Sequence, residues 1–135
     1  MLTSRDYKMF NLAKTLALSS SFYKYKIGCV VVLKKHIISV GVNSYKTHPI
    51  QKYYNKLRFP EDTHHTLHAE IHALVSIPDD IDLSDATVYT YRESLEGNLR
   101  KSRPCPSCMG MIKDHNIHRI CYTTDDGYCE EILLY

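Results

Sequence analysis

Two short segments place the strongest demand on any fold this chain can adopt. His68-Ala69-Glu70 and Pro104-Cys105-Pro106-Ser107-Cys108 carry an imidazole, a carboxylate and two thiols. These are residue types that hold a soft divalent metal and move protons. They stand far apart in the chain, so a fold that uses them must carry both segments to one point.

Zinc in a catalytic site usually takes three protein ligands and keeps its fourth position open. His68, Cys105 and Cys108 make such a set. Cys105 and Cys108 are three residues apart and share one face if that stretch is helical. Pro104 suits the start of such a helix, which the sequence predicts over Cys105 to Asp114. Thiolates at a helix N-terminus gain from its dipole and its free N–H groups. Glu70, two residues past His68, can face a zinc-activated water instead of the metal, take its proton and deliver it elsewhere. A purely structural zinc would close its shell with another Cys or His. A zinc knuckle and a chance pairing of two motifs are the alternatives at this point.

The rest of the chain reads as one α/β domain spanning residues 1–135. Thr3 or Ser4 can cap a first helix whose apolar side is Tyr7, Phe10, Ala13, Leu16 and Ala17. Ile27 to Leu33 is a nearly continuous apolar run and predicts a central strand. Lys34-Lys35 turns the chain into a second strand, Ile37 to Val42. Residues 44–66 read as a long polar connection, and Leu67 to Val75 as the helix carrying His68 and Glu70. Ala86 to Tyr91 is a third strand, residues 92–103 a polar loop, and Ile117 to Thr123 a fourth strand. Asp125-Asp126-Gly127 is a hairpin turn signal with only eight residues after it. A crossover to a parallel strand needs a dozen or more. The last strand should therefore run antiparallel to the fourth, with a short terminal helix as the alternative.

The net charge of +2 does not argue for strong nonspecific nucleic-acid binding. Cys29, Cys121 and Cys129 sit in apolar or strand-like contexts and read as reduced thiols, which fits a cytoplasmic protein. No apolar h-region follows Met1 to Asp6 and no run approaches membrane-spanning length, so neither a signal peptide nor a membrane partner is expected.

The two motifs, His68-Ala69-Glu70 and Pro104-Cys105-Pro106-Ser107-Cys108, together with the element order, resemble the zinc-dependent cytidine/deoxycytidylate deaminase superfamily. The resemblance implies a three-layer α/β/α fold on a mixed sheet of about five strands. It implies zinc on His68, Cys105 and Cys108, and Glu70 as proton shuttle. It implies that the Ala69 N–H holds a ring carbonyl or nitrogen of the base and that Asn43 contacts sugar or base, with ordinary turn chemistry as the plainer role for Asn43. It also implies a homo-oligomer. Branch features are mixed: the antiparallel tail fits free-cytidine deaminases, whereas Tyr45 replaces a glutamate that such enzymes often place there for the ribose. His-Ala-Glu fits deoxycytidylate and tRNA deaminases.

Three features lie outside those motifs. Arg92, Arg100, Lys101 and Arg103 form a basic insertion beside the expected pocket, suited to phosphate or simply to solvent. Lys46, Lys52, Lys56 and Arg58 with Tyr45, Tyr53 and Tyr54 resemble a single-strand binder or a packed edge. His64 and His65 are surface residues or a second metal site, His72 a packing or supporting residue, and His115 and His118 partners of a helix dipole. The expectation is hydrolytic deamination of a cytosine base in a small nucleoside or nucleotide. The alternatives are editing of cytosine or adenine in single-stranded DNA or tRNA, and a zinc-stabilised interaction domain without activity.

Overall fold

Residues 1–58 and 65–135 are described in the computed structural model. Helix α1 (Ser4–Leu18) begins where the sequence places its cap. The Asp6 N–H donates to the Thr3 hydroxyl, and the Thr3 N–H donates to the Asp6 carboxylate at 2.8 Å. Strands β1 (Tyr25–Leu33) and β2 (His36–Val42) follow as an antiparallel hairpin. Then come α2 (Pro49–Arg58), α3 (Ala69–Val75), β3 (Thr87–Ser94), α4 (Pro106–Asp114), β4 (Arg119–Thr124) and β5 (Gly127–Ile132).

The sheet order is β2-β1-β3-β4-β5. Strands β3 and β4 pair in parallel across the α4 crossover, and the other neighbours are antiparallel. β5 folds straight back on β4 through Asp125-Asp126, as the short tail requires. Side chains of β1 alternate between two cores. Cys29 and Val31 pack with Ile71 and Leu74 of α3 and Ile112 of α4, whereas Val30 and Val32 pack with Phe10, Ala13 and Ala17 of α1. Both faces are covered, so burial on either side explains the nearly unbroken apolar run of this strand. The result is the expected three-layer α/β/α arrangement on a five-stranded mixed sheet.

Two glycines let the layers touch backbone to backbone. A Cβ on Gly28 would stand 2.0 Å from the Ala13 carbonyl oxygen, and one on Gly41 would stand 2.2 Å from that of Ala69. Gly41 thus sets how closely α3, and with it Glu70, approaches the sheet.

The structure corrects the sequence reading in four places. Residues 44–66 are not all connection, because Pro49–Arg58 form α2. That helix buries Gln51, Tyr54 and Asn55 and exposes its lysines, so polarity masked its period. Residues 92–103 are not all loop: β3 continues to Ser94, turns at Gly97, and returns with Arg100 N–H donating to the Arg92 carbonyl at 3.0 Å. Tyr7, expected on the buried side of α1, is 46 % exposed. Finally, His68 and Cys105 lie just ahead of their helices instead of inside them, as the extended backbone of a cap requires.

Candidate metal centre and pocket

His68 is the N-cap of α3, with φ −85° and ψ 151°, and its side chain does not cap the helix. Its backbone N–H donates to Gln51 Oε1 at 3.0 Å. Gln51 is fully buried and donates in turn from Nε2 to Asn55 Oδ1 at 2.9 Å, and Asn55 Nδ2 lies 3.0 Å from His65 Nδ1. This line of amides from α2 fixes the backbone from which the His68 ring projects. Sequence reasoning missed it, although Gln51 and Asn55 stand at the i, i+4 spacing of a helix face that begins at Pro49.

The cysteine half is built locally. Cys105 is the N-cap of α4, Pro106 its first helical residue, and Cys108 lies one turn further on. His68 Nδ1 is 3.2 Å from Cys108 Sγ and 3.5 Å from Cys105 Sγ, and the ligating atoms of all three residues lie within 4.8 Å of one another. Zinc–ligand bonds of about 2.0–2.3 Å at tetrahedral angles put donors about 3.5–3.8 Å apart, so the group fits zinc. Among the described residues no further His, Cys, Asp or Glu joins it.

The electrostatics match that geometry. Its hydrogen bond to Cys108 holds the Cys105 thiol down to about 4, against the cost of burial and with help from His68. Burial pushes the Cys108 thiol up, and a bound cation would reverse that shift. Glu70 is 5 % exposed. Burial raises its pKa, His68 opposes the rise and Cys105 adds to it. Its Oε1 has no hydrogen-bond partner among the described residues. A buried carboxylate oxygen with no protein donor is costly unless something outside the chain meets it.

His68, Glu70 and Cys105 open onto a pocket with about 530 Å³ of empty space, part of it continuous with solvent. Phe22 and Tyr25 also line it, their rings 4.9 Å apart and edge to face. Neither was singled out from sequence; both fall in the short link between α1 and the apolar part of β1. Asn43 lines the pocket too, and its side chain is largely committed to β1. Its Oδ1 accepts the Ile27 N–H at 2.9 Å and its Nδ2 donates to the Tyr25 carbonyl at 3.1 Å, leaving one amide hydrogen. Ala69, the first residue of α3, is fully buried and is not among the pocket-lining residues.

The remaining sequence candidates separate clearly. Arg92, Lys101 and Arg103 line the pocket, and Arg100 does not. Tyr54 is a packing residue whose hydroxyl donates to Asp114 at 2.7 Å, whereas Tyr45 and Tyr53 are exposed. His65 joins no second metal group among the described residues, and His64 lies outside them. His72 Nδ1 accepts the Val42 N–H at 3.0 Å and ties α3 to β2. His118 stacks on Tyr135 at 4.7 Å and lies 3.1 Å from the Leu133 carbonyl, a tertiary role beyond the dipole one expected of it. All five cysteines are free of disulfides. Among the described residues no helix is long and apolar enough to cross a membrane.

Known proteins agree with this architecture. A cytidine deaminase from Burkholderia pseudomallei superposes with a TM-score of 0.64 at 12 % identity, covering 97 % of this chain and 93 % of that one. The dCMP deaminase of cyanophage S-TIM5 in its apo form gives 0.59 at 19 % identity, covering 89 % and 82 %. The same enzyme in complex with dCMP and dUMP gives 0.59 at 17 %, covering 89 % and 81 %. At these identities the likeness is one of fold. No curated protein matches in sequence. Residues 3–124 match the profile of the cytidine and deoxycytidylate deaminase zinc-binding region, a span that includes both half-sites. With His68, Cys105 and Cys108 gathered at two helix starts inside that span, the chain belongs to the cytidine and deoxycytidylate deaminase family.

Proposed function

We propose that this protein catalyses the zinc-dependent hydrolytic deamination of a cytosine base in a small nucleoside or nucleotide, releasing ammonia. The observation that carries the reading is the unpartnered, buried Oε1 of Glu70 beside three convergent metal donors at the base of a pocket. His68, Cys105 and Cys108 hold the metal. Zinc in a three-ligand site supplies Lewis acidity that activates water near neutral pH.

The chain's own groups do the rest. Glu70 accepts a proton from the attacking water and passes it to the ring nitrogen. It then delivers the second proton to the departing amine, so that water and an amino-pyrimidine become a keto-pyrimidine and ammonia. Burial suits this work, because it raises the carboxyl toward the pH at which it must both take and give a proton. Phe22 and Tyr25 offer apolar faces and edges to the base. The N–H of Ala69, in the first turn of α3, has no intrahelical acceptor and is offered to a ring carbonyl or nitrogen of the base. The remaining amide hydrogen of Asn43 serves the sugar or the base.

The test is Glu70→Ala. Zinc content by metal analysis should stay that of the parent, and ammonia release should fall about 100- to 10,000-fold. Full turnover in that variant would refute the mechanism.

A further inference from the structure

Four cations, Arg92 in β3 and Arg100, Lys101 and Arg103 between β3 and α4, receive unequal roles from the fold. Arg103 is neutralised by a two-point pair with Glu131, at 2.9 Å for each bond. Arg100 donates to the Leu99 carbonyl beside it and lies away from the pocket. Arg92 and Lys101 line the pocket and form no ion pair among the described residues.

The placement of Arg92 follows from strand periodicity. It shares a face with Val88, which packs against the metal-bearing helices, and it pairs in register with Ile27 of β1. That position carries its guanidinium diagonally over Tyr25, 4.3 Å from the ring centroid. The contact holds the cation against the ring face and leaves N–H donors for other partners. Its Nε is buried without a hydrogen-bond partner among the described residues, and its Nη1 reaches only the Lys101 carbonyl, at 3.5 Å. Lys101 is carried by a pinned backbone. Next to it, Ser102 is buried; its Oγ donates to the Thr90 carbonyl at 2.9 Å and accepts the Thr123 N–H at 2.7 Å, and its N–H donates to the Thr123 carbonyl at 2.9 Å.

From this arrangement we propose that Arg92 and Lys101 form a phosphate subsite, so that the preferred substrate is a nucleoside monophosphate and not the free nucleoside. The proposal rests on the deaminase reading above and deepens it. A guanidinium held over an aromatic ring with an idle Nε, together with a lysine carried on a pinned backbone, suits the terminal oxygens of a phosphate monoester.

The experiment compares dCMP, CMP and their free nucleosides as substrates of the zinc-loaded protein and of Arg92→Gln, Arg92→Lys and Lys101→Ala. Binding of the same four compounds is measured in parallel by calorimetry. The monophosphates should exceed their nucleosides in kcat/KM. Arg92→Gln and Lys101→Ala should each lower that ratio about 10- to 100-fold, chiefly through KM for the monophosphates. Arg92→Lys, which keeps the charge, should recover part of it. Equal turnover of nucleosides and monophosphates, altered alike by the variants, would overturn the subsite and leave the deaminase reading standing. Absence of all turnover would overturn that reading, and tighter binding of monophosphates that weakens in Lys101→Ala would still support the subsite. A cytosine within a single-stranded oligonucleotide that is preferred to dCMP, with the preference lost in both charge-removing variants, would assign these cations to a phosphodiester and overturn the monoester.

Discussion

The two halves of the candidate metal centre are held by different means. The cysteine half is local: an extended cap at Cys105, a proline at the first helical position and a second thiol one turn on. Its neighbouring outside tie, the pair between Arg103 and Glu131, joins side chains that are 40 % and 31 % exposed. The histidine half depends on distant chain. Gln51 of α2 holds the His68 N–H, Gly41 of β2 admits the helix backbone, and His72 bonds back to Val42. A ligand set by its own dihedral angles tolerates change elsewhere. One set by tertiary contacts can be displaced from far away.

That contrast can be broken at several levels. Removal of a ligand should be equally severe on both sides. His68→Ala and Cys108→Ala should each cost zinc binding and activity almost completely, as read by metal content and ammonia release. Retention of parental zinc affinity by either would remove that residue from the centre.

A sharper separation comes from residues that touch no metal. Gln51→Leu leaves every ligand in place, yet it should weaken zinc affinity about 10- to 100-fold in competition with a chromophoric chelator. Unchanged affinity would show that the histidine half is also self-supporting.

The two helices should also answer differently to one added methyl. In Gly41→Ala the new carbon meets the Ala69 carbonyl oxygen, which is backbone and cannot swing away, so a loss of about 1–3 kcal/mol is expected in denaturant unfolding. In Gly110→Ala on α4 the new carbon meets Arg58 Nη2 at 3.1 Å, the far end of a flexible side chain. Alanine also favours the helix by about 1 kcal/mol over glycine, so that variant should match or exceed the parent. Equal losses in both would erase the distinction.

The smallest effect is expected at Glu131. Its hydrogen bonds to Arg103 pull its pKa down to about 2, against burial and with help from the Tyr122 hydroxyl. The folded value lies below the unfolded value of about 4.3, so the pair's contribution is present above that pH and is lost as pH falls toward 2. Because both side chains are partly exposed, solvent screening limits it to about 1 kcal/mol or less. Glu131→Gln should flatten the acid limb of the stability profile by that amount and leave zinc affinity alone. A loss of zinc would show that the cysteine half leans on this pair after all.

The local half was also the more legible one. Pro104-Cys105-Pro106-Ser107-Cys108 announces a helix start with two thiols on one face, and the structure differs only in placing Cys105 one step before the helix. A cap at Thr3 or Ser4, which the structure places at Thr3, the apolar run of β1 and the antiparallel β5 were equally readable. Each depends on neighbours in the chain or on a simple limit of length. Helix α2 was not legible, because Lys52, Lys56 and Arg58 stand among its positions and its buried face is Gln51, Tyr54 and Asn55 instead of an aliphatic stripe. Nor was the return of residues 98–102 along β3, which depends on Thr90 of β3 and Thr123 of β4.

The sequence by itself supplied the α/β class, a candidate donor set in His68, Cys105 and Cys108, and a carboxylate at Glu70, because periodicity, capping and residue type act over a few neighbouring positions. Only the tertiary structure decided that Gln51 braces the histidine, that Asn43 spends most of its amide on β1, and that Arg92 and Lys101, among four similar cations, line the pocket with no ion pair among the described residues. Those outcomes turn on which side chains from separate elements meet at a few ångströms, and strand parity and helix phase fix that only once the sheet is assembled.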